Sequence, residues 1–406
     1  MSSIPAPDEV LRIAARGDGV LEDGRHVPLS APGDRLDPDG GLIWGPHHVE
    51  PPCQHFNICG GCDVQQLDME SYSQFIHDRV INMLTAQDVT PADIKPVHIS
   101  PAKSRRRVSV RAEYVGKQFQ LGFSSSKTHR IIDLKQCEVM DARLFAMLEP
   151  LRELLKPLVG RKRTVHARMA IVDQGIDLLL ENVQIEGLDQ TLAITEFAQA
   201  HGLARLSINE GLGPEARWEP EPVTITFGGV PVSYPADSFL QATPDGEAVL
   251  IAAAKEVIGD AVNVADLFAG LGGFGLSLGE GNSKRKVYAA EGARDVLLSL
   301  KGAAGQAGRM VFTEHRDLFR RPLMPNELDR FDAVILDPPR AGAREQILQL
   351  AESNVSRICY VSCNPSSFAR DAKKLVENGY TLDTVWPVGQ FRWSNHVELA
   401  SGFSRR

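Results

Sequence analysis

The sequence predicts an α/β protein whose C-terminal part is built on a doubly wound, mainly parallel sheet. After about residue 240, short apolar runs alternate with helical stretches, which is the rhythm of parallel strands covered by helices on both faces. One run opens into the glycine-rich turn Ala269-Gly-Leu-Gly-Gly273, and two others end at Asp337 and Cys363. Open sheets of this kind place their ligands at the carboxyl ends of the strands.

Three regions follow in order. Residues 1–50 read as short strands, Val10 to Ala14 and Val27 to Leu29, broken by turns such as Arg16-Gly-Asp-Gly19. Residues 51–235 mix α and β: a helix over 69–86, a hairpin over 105–115 and 118–123, a β pair over 166–183, and a hairpin turning at Gly228-Gly229. In residues 236–406 a helix from Asp245 to Ile258 precedes strands at 263–268, 287–290, 310–313, 331–336 and 358–362.

With 406 residues and 43% apolar positions the chain can bury two or three cores. No apolar stretch reaches the roughly 20 residues of a membrane helix, and the start MSSIPAPDEV has no secretory signal, so a cytoplasmic protein without membrane contact is expected. A formal charge of −8 leaves nucleic-acid binding to local basic patches. Two stand out, Lys103-Ser-Arg-Arg-Arg107 with Arg111, and Arg161-Lys-Arg163 with His166 and Arg168. The first enters an alternating stretch and is expected to line a phosphate track.

The chemistry-bearing residues fall into three groups. Cys363 ends a strand, and a thiolate there can attack an electron-poor carbon, with Glu398 of His396-Val-Glu398 available as a base. Asp266-Leu-Phe-Ala-Gly270 opens a strand-to-helix turn where a ligand can approach the backbone, and Glu291 at the next strand tip suits ribose hydroxyls. Cys53, Cys59, Cys62 and Cys137 form a quartet whose spacing suits either zinc or an iron-sulfur cluster. Cys359 is expected to pack.

Cys363-Asn-Pro, Asp337-Pro-Pro-Arg340, His396-Val-Glu398, Ser238-Phe-Leu-Gln-Ala-Thr243 and the string CQHFNICGGC from Cys53 together resemble the RNA uracil-5-methyltransferase family, in the family's own order. The resemblance implies a Rossmann-like S-adenosylmethionine-dependent domain, an α+β central domain and a shortened N-terminal TRAM-like β-barrel. It places S-adenosyl-L-methionine at Gln241, Phe268, Glu291, Asp317 and Asp337, with Cys363 and Glu398 catalytic. The cysteine string is similar to the family's iron-sulfur branch, which implies a structural 4Fe-4S cluster on Cys53, Cys59, Cys62 and Cys137. That branch implies a monomeric enzyme forming 5-methyluridine in 23S rRNA. A transfer-RNA target and a non-catalytic iron-sulfur RNA-binding factor are the alternatives. Arg392 stands where the family generally has proline.

Overall fold

The computed structural model describes residues 8–126, 128, 130–160, 163–282 and 284–405. Its largest sheet runs, in spatial order, Val311–His315, Lys286–Glu291, Asn263–Leu267, Ala333–Leu336, Arg357–Ser362, Glu398–Ser404 and Thr381–Gly389. The first five are parallel, and Glu398–Ser404 enters antiparallel to Arg357–Ser362. Asn263–Leu267 is the switch point, because the chain leaves it toward one edge and later returns on its other side. The four-residue run Ala333–Leu336 is buried at every position, as a strand covered on both faces must be. The expected strands at 263–268, 287–290, 310–313, 331–336 and 358–362 all fall on observed ones, with shifts at their ends.

This sheet also recruits residues from well before 235. Asp93–Ile94 and His98–Ile99 pair in parallel with Thr381–Gly389. The helix Met69–Thr85, capped by Asp68 accepting from the Ser71 N–H, buries Tyr72, Phe75 and Ile76 in the same core as Leu336, Tyr360 and Phe368. The separate central core belongs to a seven-stranded sheet, ordered Ile131–Asp133, Gln118–Ser124, Arg107–Val115, Val165–Val172, Gly175–Glu181, Arg205–Asn209 and Pro214–Trp218. The hairpin turning at Gly228-Gly229 is present, Thr224–Phe227 against Val230–Ser233.

The N-terminal strands are two residues each. Arg12–Ile13, Gly19–Val20 and His26–Val27 form one small sheet, Arg35–Leu36 and Leu42–Ile43 another, and the bridge Glu9 to Arg35 joins them. Their small core is Val10, Leu21 and Val27. Among the described residues this is a cap rather than a closed barrel. It is stitched to the next segment by Val49 N–H to the Gln66 carbonyl and Asp68 N–H to the His47 carbonyl.

The basic run is not a continuous track, and this corrects the expectation. Successive side chains of an extended segment point to opposite faces. Arg106 therefore turns inward, 5% exposed, where it donates to Glu247 Oε1 at 2.7 Å and to the Gln241 carbonyl at 2.9 Å. Lys103 pairs with Glu138. Arg105 and Arg107 face the other way, over the rings of Phe391 and Phe239 at 5.5 and 4.5 Å. Arg111 donates to Ser124 Oγ. Of the second patch, Arg161 and Lys162 lie outside the described residues, and Arg168 is paired with Glu181 and Asp237.

Removing Arg106 leaves the part-buried Glu247 carboxylate, 16% exposed, without its partner. Arg106→Met is expected to destabilise the fold by about 3 kcal/mol, read as a lower denaturation midpoint, with the salt dependence of RNA binding unchanged.

Candidate active site

The sheet topology explains why residues far apart in sequence meet. Parallel strands end at one edge, and an antiparallel strand begins there. Cys363 follows the last residue of Arg357–Ser362, Asp337 follows the neighbouring strand's Leu336, and Glu398 is the first residue of the antiparallel strand, whose Leu399 is opposite Ser362. Asn364 caps the helix Pro365–Glu377 by accepting from Ser366 N–H, and its Nδ2 donates to the Arg340 carbonyl at 3.0 Å. Ser367 Oγ donates to the same carbonyl. These bonds clasp the Cys363 and Asp337 loops together.

Electrostatics at this edge is dominated by carboxylates out of water. Glu398 is 3% exposed, and burial together with Asp337 pushes its carboxyl up to about 8. Burial and Asp266 push Asp337 up to about 7. Burial, then Glu398 and Asp337, push the Cys363 thiol up to about 11, with Arg340 acting in the opposite sense. In the unliganded protein Cys363 is therefore a thiol at neutral pH, and its Glu398 neighbour is one reason.

The expected cofactor residues gather at the switch point. Phe268 leaves its strand with φ +64°, a left-handed backbone that a bulky residue adopts only when its surroundings impose it. Its ring lies 5.4 Å from that of Phe319. Glu291 accepts from Gly270 N–H at 2.9 Å and Ala293 N–H at 2.7 Å, which fixes its carboxylate at the strand tip with lone pairs to spare. Gln241 donates to Asp337 Oδ2 at 3.2 Å. Asp317 is exposed and spends one oxygen on the Phe319 N–H. Asp266, quoted in the motif but given no role, is fully buried; Oδ2 accepts from Gly275 N–H and Oδ1 has no partner. An orphaned buried carboxylate oxygen beside Asp337 fits a ligand bearing a donor or positive group.

The quartet and the catalytic edge share one cavity of about 530 Å³, lined by Cys53, Cys59, Cys62 and Cys137 and also by Arg340, Cys363 and Phe391. The two cysteine-bearing segments are tied by Lys135 N–H donating to His55 Nε2 and by Gln136 Nε2 donating to the Pro52 carbonyl. Burial raises the Cys62 thiol to about 12. Among the described residues, no three His, Cys, Asp or Glu side chains are grouped to hold one metal ion. Arg105 lines the same cavity. Cys359 is fully buried in the core, as expected.

Sequence reasoning missed Gln390, which is 1% exposed and donates to both Gln241 Oε1 and Glu398 Oε2. Of the aromatics on these segments, Phe239 is 62% exposed, Phe391 lines the cavity, and Trp393 is buried.

A family model described as tRNA (uracil-5-)-methyltransferase matches residues 310–405. An uncharacterized RNA methyltransferase of Zymomonas mobilis is 50% identical over 397 residues, spanning 98% of this chain and 99% of the relative. The 23S rRNA (uracil(1939)-C(5))-methyltransferase of Shewanella piezotolerans is 27% identical, over 87% of this chain and 82% of the relative. The solved tRNA (uracil-54, C5)-methyltransferase of Pyrococcus abyssi, in complex with S-adenosyl-L-homocysteine, has a TM-score of 0.75 at 20% identity, covering 97% of this chain and 99% of that one. At that identity the likeness is one of fold.

The raised thiol has a direct readout. Alkylation of Cys363 by iodoacetamide, followed by peptide mass analysis, is expected to accelerate with pH without a plateau below about pH 9, since only the thiolate reacts. Glu398→Gln removes a negative charge that opposes ionisation, so its Cys363 should alkylate faster at pH 8 than in the parent.

Proposed function

Since the chain belongs to the RNA uracil-5-methyltransferase family, whose members depend on S-adenosylmethionine, we propose that it forms 5-methyluridine in 23S rRNA through a covalent adduct on Cys363. The observation that carries the mechanism is the placement of Cys363 and Glu398 on paired strands at one sheet edge, beside Asp337.

Uracil carbon 5 is a poor nucleophile until something adds to carbon 6. Cys363 loses its thiol proton to solvent, the resulting thiolate adds there, and the displaced electron pair returns through the enolate to carbon 5. Bound S-adenosylmethionine supplies the electrophilic methyl group that carbon 5 accepts. Glu398 then removes the remaining proton from carbon 5, the double bond re-forms, and the Cys363 thiolate leaves. A carboxyl raised to about 8 is a stronger base, once ionised, than an ordinary glutamate. Gln241, Phe268, Glu291, Asp317 and Asp337 are the residues we assign to the cofactor. A target base must leave its stack to reach Cys363, and Phe239, exposed and backed by the Arg107 guanidinium, offers it a surface.

The ribosomal target is supported by the likeness to the Shewanella protein over most of both chains. A transfer-RNA uridine is the second reading, favoured by the description of the matching family model. A non-catalytic RNA-binding factor has no use for the Cys363–Glu398 pair. Mass mapping of ribosomal and transfer RNA from a strain lacking the protein decides between the targets: loss of one 5-methyluridine from 23S rRNA supports the proposal, and loss from transfer RNA alone sinks it. Cys363→Ala should abolish turnover with S-adenosylhomocysteine binding retained. Glu398→Gln should instead accumulate a protein-RNA adduct stable to denaturing electrophoresis.

We assign a 4Fe-4S cluster to Cys53, Cys59, Cys62 and Cys137, because the cysteine string is similar to the family's iron-sulfur branch and the four thiols line one cavity. Bound there, it would fasten the 53–62 loop to the segment carrying Cys137. Anaerobically purified protein is expected to be brown with about 4 iron atoms per chain. Stoichiometric zinc without iron would count against the cluster.

A further inference from the structure

The geometry points to Gln390 as a positioning residue that orients the Glu398 carboxylate and ties it to the cofactor side of the cleft; the inference rests on Glu398 being the base. Gln390 is 1% exposed, and all the hydrogen-bonding capacity it shows is spent inside the site. Its Oε1 accepts the Ala242 main-chain N–H at 3.0 Å. A backbone N–H can only donate, so this bond fixes which end of the carboxamide is oxygen. The Gln390 NH2 group must then face Gln241 Oε1, at 2.8 Å, and Glu398 Oε2, at 2.9 Å. Gln241 is oriented in turn, and its Nε2 donates to Asp337 Oδ2 at 3.2 Å. One main-chain N–H thereby sets the direction of two carboxamides and two carboxylates. Arg106 holds that main chain still, donating to the Gln241 carbonyl and, through its own N–H, to the Ala242 carbonyl.

The chemical consequence lies in which oxygen works. With Oε2 engaged by Gln390, Oε1 is the Glu398 oxygen left to take a proton. The other groups facing this carboxylate are Asp337, which opposes its ionisation, Arg107, which favours it, and Cys363, whose own ionisation Glu398 opposes. Gln390 favours the charged form without being a charge itself. An arginine in its place would pin the carboxylate in ionised form and weaken it as a base, whereas a carboxamide stabilises it and still lets it be protonated.

The test compares Gln390→Met, close in volume but without the amide, with the parent and with Glu398→Gln, using single-turnover methylation of an RNA substrate across pH. Losing a donor to the charged form raises the pKa of Glu398. The acidic limb of the Gln390→Met profile should therefore move up by about one pH unit. Turnover near pH 7 should fall roughly tenfold and recover at higher pH, with protein-RNA adduct accumulating at the lower pH. Because Gln241 also loses a partner, S-adenosylhomocysteine should bind a few-fold more weakly, on the order of fivefold. Gln390→Glu, which sets a carboxyl against Glu398, should move the limb further in the same direction. An unmoved limb in both variants overturns the inference, as does a loss of rate equal at every pH. Full turnover by Glu398→Gln would instead overturn the base assignment, and this inference with it.

Discussion

Three carboxylates, on Asp266, Asp337 and Glu398, are held out of water at the tips of neighbouring strands, and the rest of the site is arranged around their mutual repulsion. Burying like charges together is unfavourable unless protons, donors or cations intervene. Here the intervening groups are mostly neutral: the Gly275 N–H on Asp266, and the Gln241 and Gln390 carboxamides on Asp337 and Glu398. The buried guanidinium of Arg106 is held by Glu247 instead, and of the arginines it is Arg107 that acts on Glu398. A site neutralised by permanent cations would be more comfortable and less basic. Of these three carboxylates, Asp266 has a buried oxygen with no partner among the described residues, an atom a ligand's donor could satisfy.

The parts of this arrangement that are written locally could be read from the sequence. Apolar strands, the turn at 269–273, the strand-end positions of Asp337 and Cys363 and the cysteine spacing all depend on near neighbours in the chain. The parts that depend on distant pairing could not. Nothing local in residues 93–99 marks them as partners of the Thr381–Gly389 strand. Arg106 was misplaced because a run of like charges was taken as one surface, although the alternation visible just beyond it already implied two. Gln390 carries no signature as a lone glutamine before an aromatic. Its role exists only once Ala242, Gln241 and Glu398 converge from three separate segments.

An acidic chain meets RNA through few groups, and the fold decides which. Arg105 and Arg107 keep to one side of their strand and lie over Phe391 and Phe239, so each cation comes with an aromatic face. That pairing suits unstacked bases at least as well as phosphates. Arg105 also lines the cavity that the quartet shares with Cys363, so the same side chain borders both sets of sulfurs.

Keeping the Cys363 sulfur protonated also guards it. Peroxide and disulfides react with thiolates, and a thiol raised to about 11 offers them almost none at neutral pH. The protection matters in this cavity because the quartet lines the same space, and whenever its four thiols carry no bound group they are exchange partners for any sulfur that oxidises. The fold carries Cys363 in a chemically quiet form, protonated and slow to oxidise, on the wall of a cavity rich in sulfur.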